Sequence, residues 1–257
     1  MTFSRYSAPA TPRWRADATR HIIDVMPFTT AALRFFRGLA KHNDKPWFEA
    51  RRAEYETEVR EPMRALILDM NDRFRRFAPE IAADPKRGMF RINRDIRFSK
   101  DKSPYKTHAA CWFKHRSASS KVGSEANEGS AGFYFHLQPG GKSFVGAGLW
   151  MPPRPQLNKL RDAIADDPKA FDRVARGLGK RYGGLEDESM LKRMPRGFAE
   201  DHPAAKWLRY QSFTSGRALK DSDVTSAKLP ALLARDFEGL LPLVRWLNGA
   251  LGYPAAR

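Results

Sequence analysis

The chain has 257 residues, of which 42% are hydrophobic and 12% aromatic, enough apolar material for a packed core and too much for a disordered polymer. Its formal net charge is +17, with 30 Arg and 16 Lys, so phosphate-bearing partners are the first class to consider. No apolar run reaches the length of a membrane span, and a single cysteine, Cys111, excludes an internal disulfide and any multi-cysteine zinc site.

In chain order, residues 1–26 form a basic tail expected to be disordered: four Arg face two Asp, small-residue turns recur, and no amphipathic period or signal-peptide core is present. The remaining residues, 27–257, are expected to make a single α+β domain. A first helix is predicted over about Thr30–Lys41, capped by Thr29 or Thr30, with Leu33, Phe36 and Leu39 on one face. Asn43 or Asp44 caps a second helix with Pro46 in its first turn. Pro62 is read as an interruption, after which Met63, Leu66, Ile67, Met70, Phe74 and Phe77 keep helical spacing.

From Met89 the period changes to two. Strands are predicted near 89–97, 108–115, 131–138 and 142–151, in an antiparallel sheet of four to five strands flanked by N-terminal and C-terminal helices. A polar loop is expected over 114–130, and "QPGGKS" (138–143) reads as a hairpin turn. Gly146 and Gly148 mark a strand that backbone or ligand approaches closely. Helices are predicted at about 156–165, 168–177 and 204–208, with Asp201 as a cap before Pro203 and a strand at 211–214. A last helical tract runs over 228–251, kinked or divided at Pro242.

The chemistry concentrates in "RINRDIRFSKDKSPYKTH" (91–108). Six Arg or Lys fall within its first sixteen residues against two acids, although Ile92, Ile96 and Phe98 have strand-like spacing. Read as a strand, Arg91, Asn93, Asp95 and Arg97 share one polar face. The turn at Ser103-Pro104 then crowds Lys100, Lys102, Tyr105, Lys106 and His108 together. Such a cluster repels itself unless acids of the chain or a bound anion neutralise it. Arg91, Arg94, Arg97, Lys100, Lys102, Tyr105 and Lys106 are therefore the candidate ligand residues, with Asp95 as the organiser of the arginines. Asp95, Asp101 and His108 are the candidates for moving a proton. The alternative is a solvated hairpin with self-contained ion pairs.

Other signals are weaker. The six histidines have no metal-ligand spacing, although His108 and His136 lie on predicted strands from which they could face each other. No nucleophile elbow is present. "GGKS" lacks the earlier glycine and the following helix of a phosphate-binding loop. No cofactor and no metal is expected. Cys111, in an apolar run, is expected to be a buried inert thiol.

Three separated stretches resemble the domain of unknown function 2461 family of bacteria and fungi. They are "RINRDIRFSKDKSPYKTH", "FYFHLQPGGKSFVGAGLWMPP" and "MPRGFAEDHPAAKWLRYQSF", and the opening "FTTAALRFFRGLAKHNDKPWFEARRAEYETEVREPM" is similar to its N-terminal helices. The resemblance spans roughly Phe28 to Leu251. Its signature positions here are Arg91, Arg94, Asp95, Arg97, Phe98, Lys100, Asp101, Lys102, Pro104, Tyr105 and Lys106, and Gln211 departs from the family's Lys. The resemblance implies no particular activity. Two readings follow: a cytoplasmic protein holding a phosphate-bearing or other anionic small molecule, with or without catalysis, or a nucleic-acid-binding module.

Overall fold

The computed structural model describes residues 28–118 and 129–256. The tail expected over 1–26, and most of the polar loop expected over 114–130, lie outside the described residues; Lys114 and His115 belong to a strand.

Helix α1, Thr30–Lys41, begins where the Thr29 hydroxyl accepts from the Ala31 amide, and it buries Leu33, Phe35, Phe36 and Leu39. Asp44 caps α2, Lys45–Ala50, with Pro46 in the first turn. The expected break at Pro62 is absent. Helix α3, Arg52–Tyr55, passes through a π-helical turn, Glu56–Arg60, directly into α4, Glu61–Phe77. Proline lacks an amide hydrogen and crowds the carbonyl one turn back; a π turn just before Pro62 widens the helix and relieves that clash.

Strand β1, Ile81–Ala82, and the short helix α5, Pro85–Gly88, follow. Strands β2 (Ala109–His115), β3 (Gly132–Leu137) and β4 (Ser143–Leu149) come next. Then come helices α6 (Arg154–Asp166), α7 (Pro168–Gly177), α8 (Gly179–Tyr182) and α9 (Ala205–Leu208). Strand β5 (Phe213–Leu219), α10 (Asp221–Val224) and α11 (Leu229–Leu251) complete the chain. At α9 the amide of Ala204 is taken by His202 Nδ1, so Asp201 is not the cap. Helix α11 is continuous through Pro242, which lies with Glu238, one turn back, on the exposed side of the helix, where a missing backbone bond is tolerated.

The sheet is antiparallel throughout, in the order β1-β2-β3-β4-β5. This is the expected α+β class. One expected strand is missing: 89–97 forms only isolated bridges, Met89 with Cys111 and Asn93 with Tyr105. Side chains there take the backbone groups that a ladder needs. Lys102 Nζ donates to the Ile96 carbonyl, Lys106 Nζ to that of Arg91, and Asp95 accepts from the Arg97 amide. Such local bonds compete with strand pairing.

Opposed residues share a face. Cys111, Phe113, Phe133, Phe135 and Val145 point inward, where α4 and α11 cover the sheet, and Phe213 points inward against Phe171 of α7. Phe74, Phe113, Phe133 and Phe237 make the centre, with ring centroids 4.7 to 5.9 Å apart. Cys111 is buried there and its thiol pKa is pushed up by desolvation. Among the described residues, no helix is long and apolar enough to cross a membrane.

Candidate functional site

The segment 91–108 folds as an irregular hairpin docked on α2 and on Asn43, which lies between α1 and α2. The Asn43 side chain holds Tyr105 by both backbone groups, at 2.9 and 3.0 Å, and the Tyr105 ring stacks on Phe48 with centroids 4.2 Å apart. Tyr105 therefore faces the core. Arg94 is the hub of the hairpin: its guanidinium bonds Asp101, the Ser103 carbonyl at 3.1 Å and the Ser99 hydroxyl at 3.3 Å. Asp95 holds Arg97 in a fork, at 3.0 and 2.7 Å, on the exposed side. Arg94, rather than Asp95, ties the two limbs together.

The predicted ligand residues thus divide into separate sets. Arg94 is part of the internal knot, Arg97 is paired with Asp95, Lys102 caps a carbonyl, and Lys100 is exposed. Arg91 and Lys106 lie at the other end, joined by the Lys106 Nζ bond to the Arg91 carbonyl at 2.9 Å. The candidate proton carriers are strongly biased. Hydrogen bonds from Arg97 hold Asp95 down to about 2. Bonds from Ser103, then Arg94, do the same for Asp101, also to about 2. Burial, reinforced by His136 and Lys106, pushes His108 down to about 4. At neutral pH both carboxylates are ionised and the imidazole is neutral.

Next to the Lys106 end the outer face of the sheet opens into a cleft of about 460 Å³, lined by Phe90, Trp112, Tyr134, Phe144, Trp150, Glu186 and Thr214. Its origin is the strand alternation. Trp112 opposes Tyr134, which opposes Gly146, which opposes Gly216; the next row runs Lys114, Gly132, Gly148, Thr214. Two aromatic side chains on β2 and β3 thereby stand beside a floor of bare backbone on β4 and β5. Larger residues do not fit that floor. Gly148 has φ +126°, and a Cβ there would lie 1.9 Å from the Phe213 carbonyl oxygen.

The walls are aromatic and partly open. Tyr134 contacts Phe90, Trp112 and Phe144, with centroids 5.2 to 6.0 Å apart. Phe144 is 37% exposed and Trp150 71%. Trp150 precedes Met151, a non-glycine residue at φ 43° whose amide is held by Ser212 at 2.9 Å. Backbone strain of this kind gathers where a side chain must be aimed. Lys106 Nζ sits 5.3 Å from the Phe90 ring centroid, so the basic hairpin and the aromatic cleft share an edge.

Beside the cleft, on the same sheet face, runs a polar chain. The His108 and His136 rings lie 4.2 Å apart, as their strand positions suggest. His136 bonds the Tyr134 hydroxyl at 3.1 Å through Nδ1 and Gln138 at 2.9 Å through Nε2. This chain fixes the Tyr134 ring. The glycine turn 138–143 is not a phosphate cradle: the amides of Gly140 and Gly141 already donate to Asp221, at 3.1 and 2.9 Å.

Sequence reasoning thus reached the rim of this site through Lys106, Arg91 and the two glycines of β4, but missed Phe90, Tyr134, Phe144, Trp150, Glu186 and Thr214. The available signal was at 133–136, Phe-Tyr-Phe-His, where aromatic rings occupy both parities of one strand. A strand with only one face in the core does not need that. No curated protein and no solved structure matches the chain. A match extends over residues 31–246 to the family described as conserved hypothetical protein (DUF2461), and the chain belongs to that family.

Proposed function

We propose that the protein binds a nucleotide-like anionic small molecule, its ring in the aromatic cleft and its phosphate at the Lys106 edge of the hairpin. The observation that carries this reading is the adjoining of a cleft of about 460 Å³ walled by aromatic rings with the Lys106–Arg91 corner of a basic segment. A cleft of that size suits a small ligand. Flat rings stack on aromatic walls, and a bare glycine floor admits a plane laid on backbone. Lys106 keeps two ammonium hydrogens beyond its bond to the Arg91 carbonyl. A bare phosphate uses only the edge, so a ring-bearing anion fits the whole site better. A cytoplasmic setting belongs to the same reading.

A second reading, a single-stranded nucleic acid, is favoured by one observation: Phe98, 94% exposed beside Arg97 on the hairpin, offers a further stacking surface outside the cleft.

The test is intrinsic tryptophan fluorescence and thermal melting of the full chain with purine and pyrimidine mononucleotides, nucleosides and inorganic phosphate. Mononucleotides at a hundredfold excess over Kd are expected to stabilise by about 2.7 kcal/mol. Phosphate alone is expected to have little effect. Phe144→Ala should weaken nucleotide binding by about tenfold, the loss of one stacking contact. Lys106→Ala should weaken nucleotides but not nucleosides. Absence of any response to mononucleotides overturns the reading.

A further inference from the structure

The cleft lining contrasts with the molecule that carries it. In a chain of net charge +17, the one charged side chain lining the cleft among the described residues is an acid, Glu186. It is placed firmly. Thr214 Oγ1 donates to Glu186 Oε2 at 2.7 Å, and the Glu186 amide donates to the Thr214 carbonyl at 2.9 Å. Thr214 itself is fixed in β5, opposite Gly148. The carboxylate is thus strapped to the β5 end of the glycine floor, at the far side of the sheet face from β2 and the Lys106 edge.

A carboxylate accepts hydrogen bonds and donates none. One lone pair on Oε2 is used by Thr214, which leaves Oε1 and the rest of Oε2 for the ligand. It repels phosphate, so the anionic end of a nucleotide lies away from it, toward Lys106. What meets Glu186 is the outer edge of the ring, and that edge must donate. Among the common bases only guanine presents two adjacent donors there, the ring N1–H and the exocyclic N2 amine, matched to the two oxygens of a carboxylate. Adenine and cytosine each present an amine beside a ring nitrogen that accepts. Uracil presents one N–H between two carbonyls.

We propose that Glu186, oriented by Thr214, selects guanine by accepting from its N1–H and N2–H groups. This rests on the nucleotide reading above. A bidentate pair of this kind discriminates by about tenfold or more, because the wrong base sets a lone pair against a charged oxygen.

The experiment measures Kd of the full chain for GMP, IMP, AMP, CMP and UMP by fluorescence titration. GMP is expected to bind about tenfold or more tightly than AMP, with IMP, which lacks the N2 amine, in between. Glu186→Gln, at an exposed position that carries no core packing, should remove the GMP advantage and leave AMP binding as tight or tighter. Thr214→Val should reduce the GMP advantage by freeing the carboxylate. If GMP and AMP bind equally well to the wild type, or the ratio survives Glu186→Gln, the selection is overturned while the nucleotide reading stands. If none of the five binds, the nucleotide reading has failed and the selection falls with it.

Discussion

At the scale of single residues, the two histidines beside the cleft carry the clearest electrostatic consequence. Burial holds His108 down to about 4 and lowers His136, while an unfolded histidine titrates near 6.5. A group with a depressed folded pKa that is neutral when folded binds fewer protons in the native state than in the unfolded state between those values. Stability is therefore full above about pH 6.5 and falls as the pH drops toward 4. Denaturant melts at half-unit pH steps should show that slope, and His108→Gln should flatten it. A wild-type stability that is level between pH 6.5 and 4.5 contradicts the placement of the pair. The same chain ties protonation to the cleft, since His136 bonds the hydroxyl of Tyr134, one of its walls.

At the scale of elements, the joints are of two energetic kinds. Asp236 on α11 is fully buried and accepts from Arg217 of β5 and Arg181 of α8, at 2.6 and 2.7 Å, with the Tyr182 hydroxyl at 3.4 Å. Removing the acid strands two guanidinium groups at the seam between helix and sheet. The Arg181 and Arg217 side chains are 48% and 24% exposed, so water takes over part of what the acid supplied, and Asp236→Ala is expected to cost about 1.5–3 kcal/mol in chemical denaturation. The hairpin is of the other kind. Asp95 and Arg97 are exposed, so Asp95→Ala is expected to leave the melting midpoint nearly unchanged. Arg94→Ala is expected to lower it, because Arg94 crosses between the limbs to Asp101, Ser99 and Ser103. Equal effects from the two hairpin variants would show that the hub is elsewhere.

At the scale of the whole molecule, charge and cleft respond differently to salt under the proposed reading. A net charge of +17 attracts polyanions through a field that salt screens, whereas stacking on the aromatic lining is not screened. Mononucleotide affinity should therefore depend weakly on ionic strength. If single strands also engage the exposed Phe98 and its cationic neighbours, an oligonucleotide making about three phosphate contacts should lose about tenfold or more in affinity between 50 and 200 mM salt. Titrations of a mononucleotide and a pentanucleotide at those two salt concentrations separate a closed small-molecule site from an extended track. Identical shallow slopes favour the small molecule.

Local chemistry was enough to place α1 and α2 and to narrow each cap to two neighbouring residues, of which the fold uses Thr29 and Asp44, because a helix start is specified by side chains within one turn. The core strands β2 to β4 were legible for a similar reason: alternation is a property of neighbours in sequence. The 89–97 segment was not, although its apolar spacing resembled a strand. Whether Lys102 and Lys106 reach the carbonyls of Ile96 and Arg91, or leave them to a ladder, depends on how the hairpin closes. The helix through Pro62 depended on a π turn that no residue type announces. The candidate site shows the same division. Charge, Lys106, Arg91 and the glycines of β4 are visible in the sequence, whereas the cleft exists only because the register sets Trp112 and Tyr134 beside Gly146 and Gly216, and brings Glu186 to Thr214 across a gap of 28 residues. Strand register and loop return are long-range facts, fixed by the packing of the opposite sheet face on α4 and α11, and only the folded chain decides them.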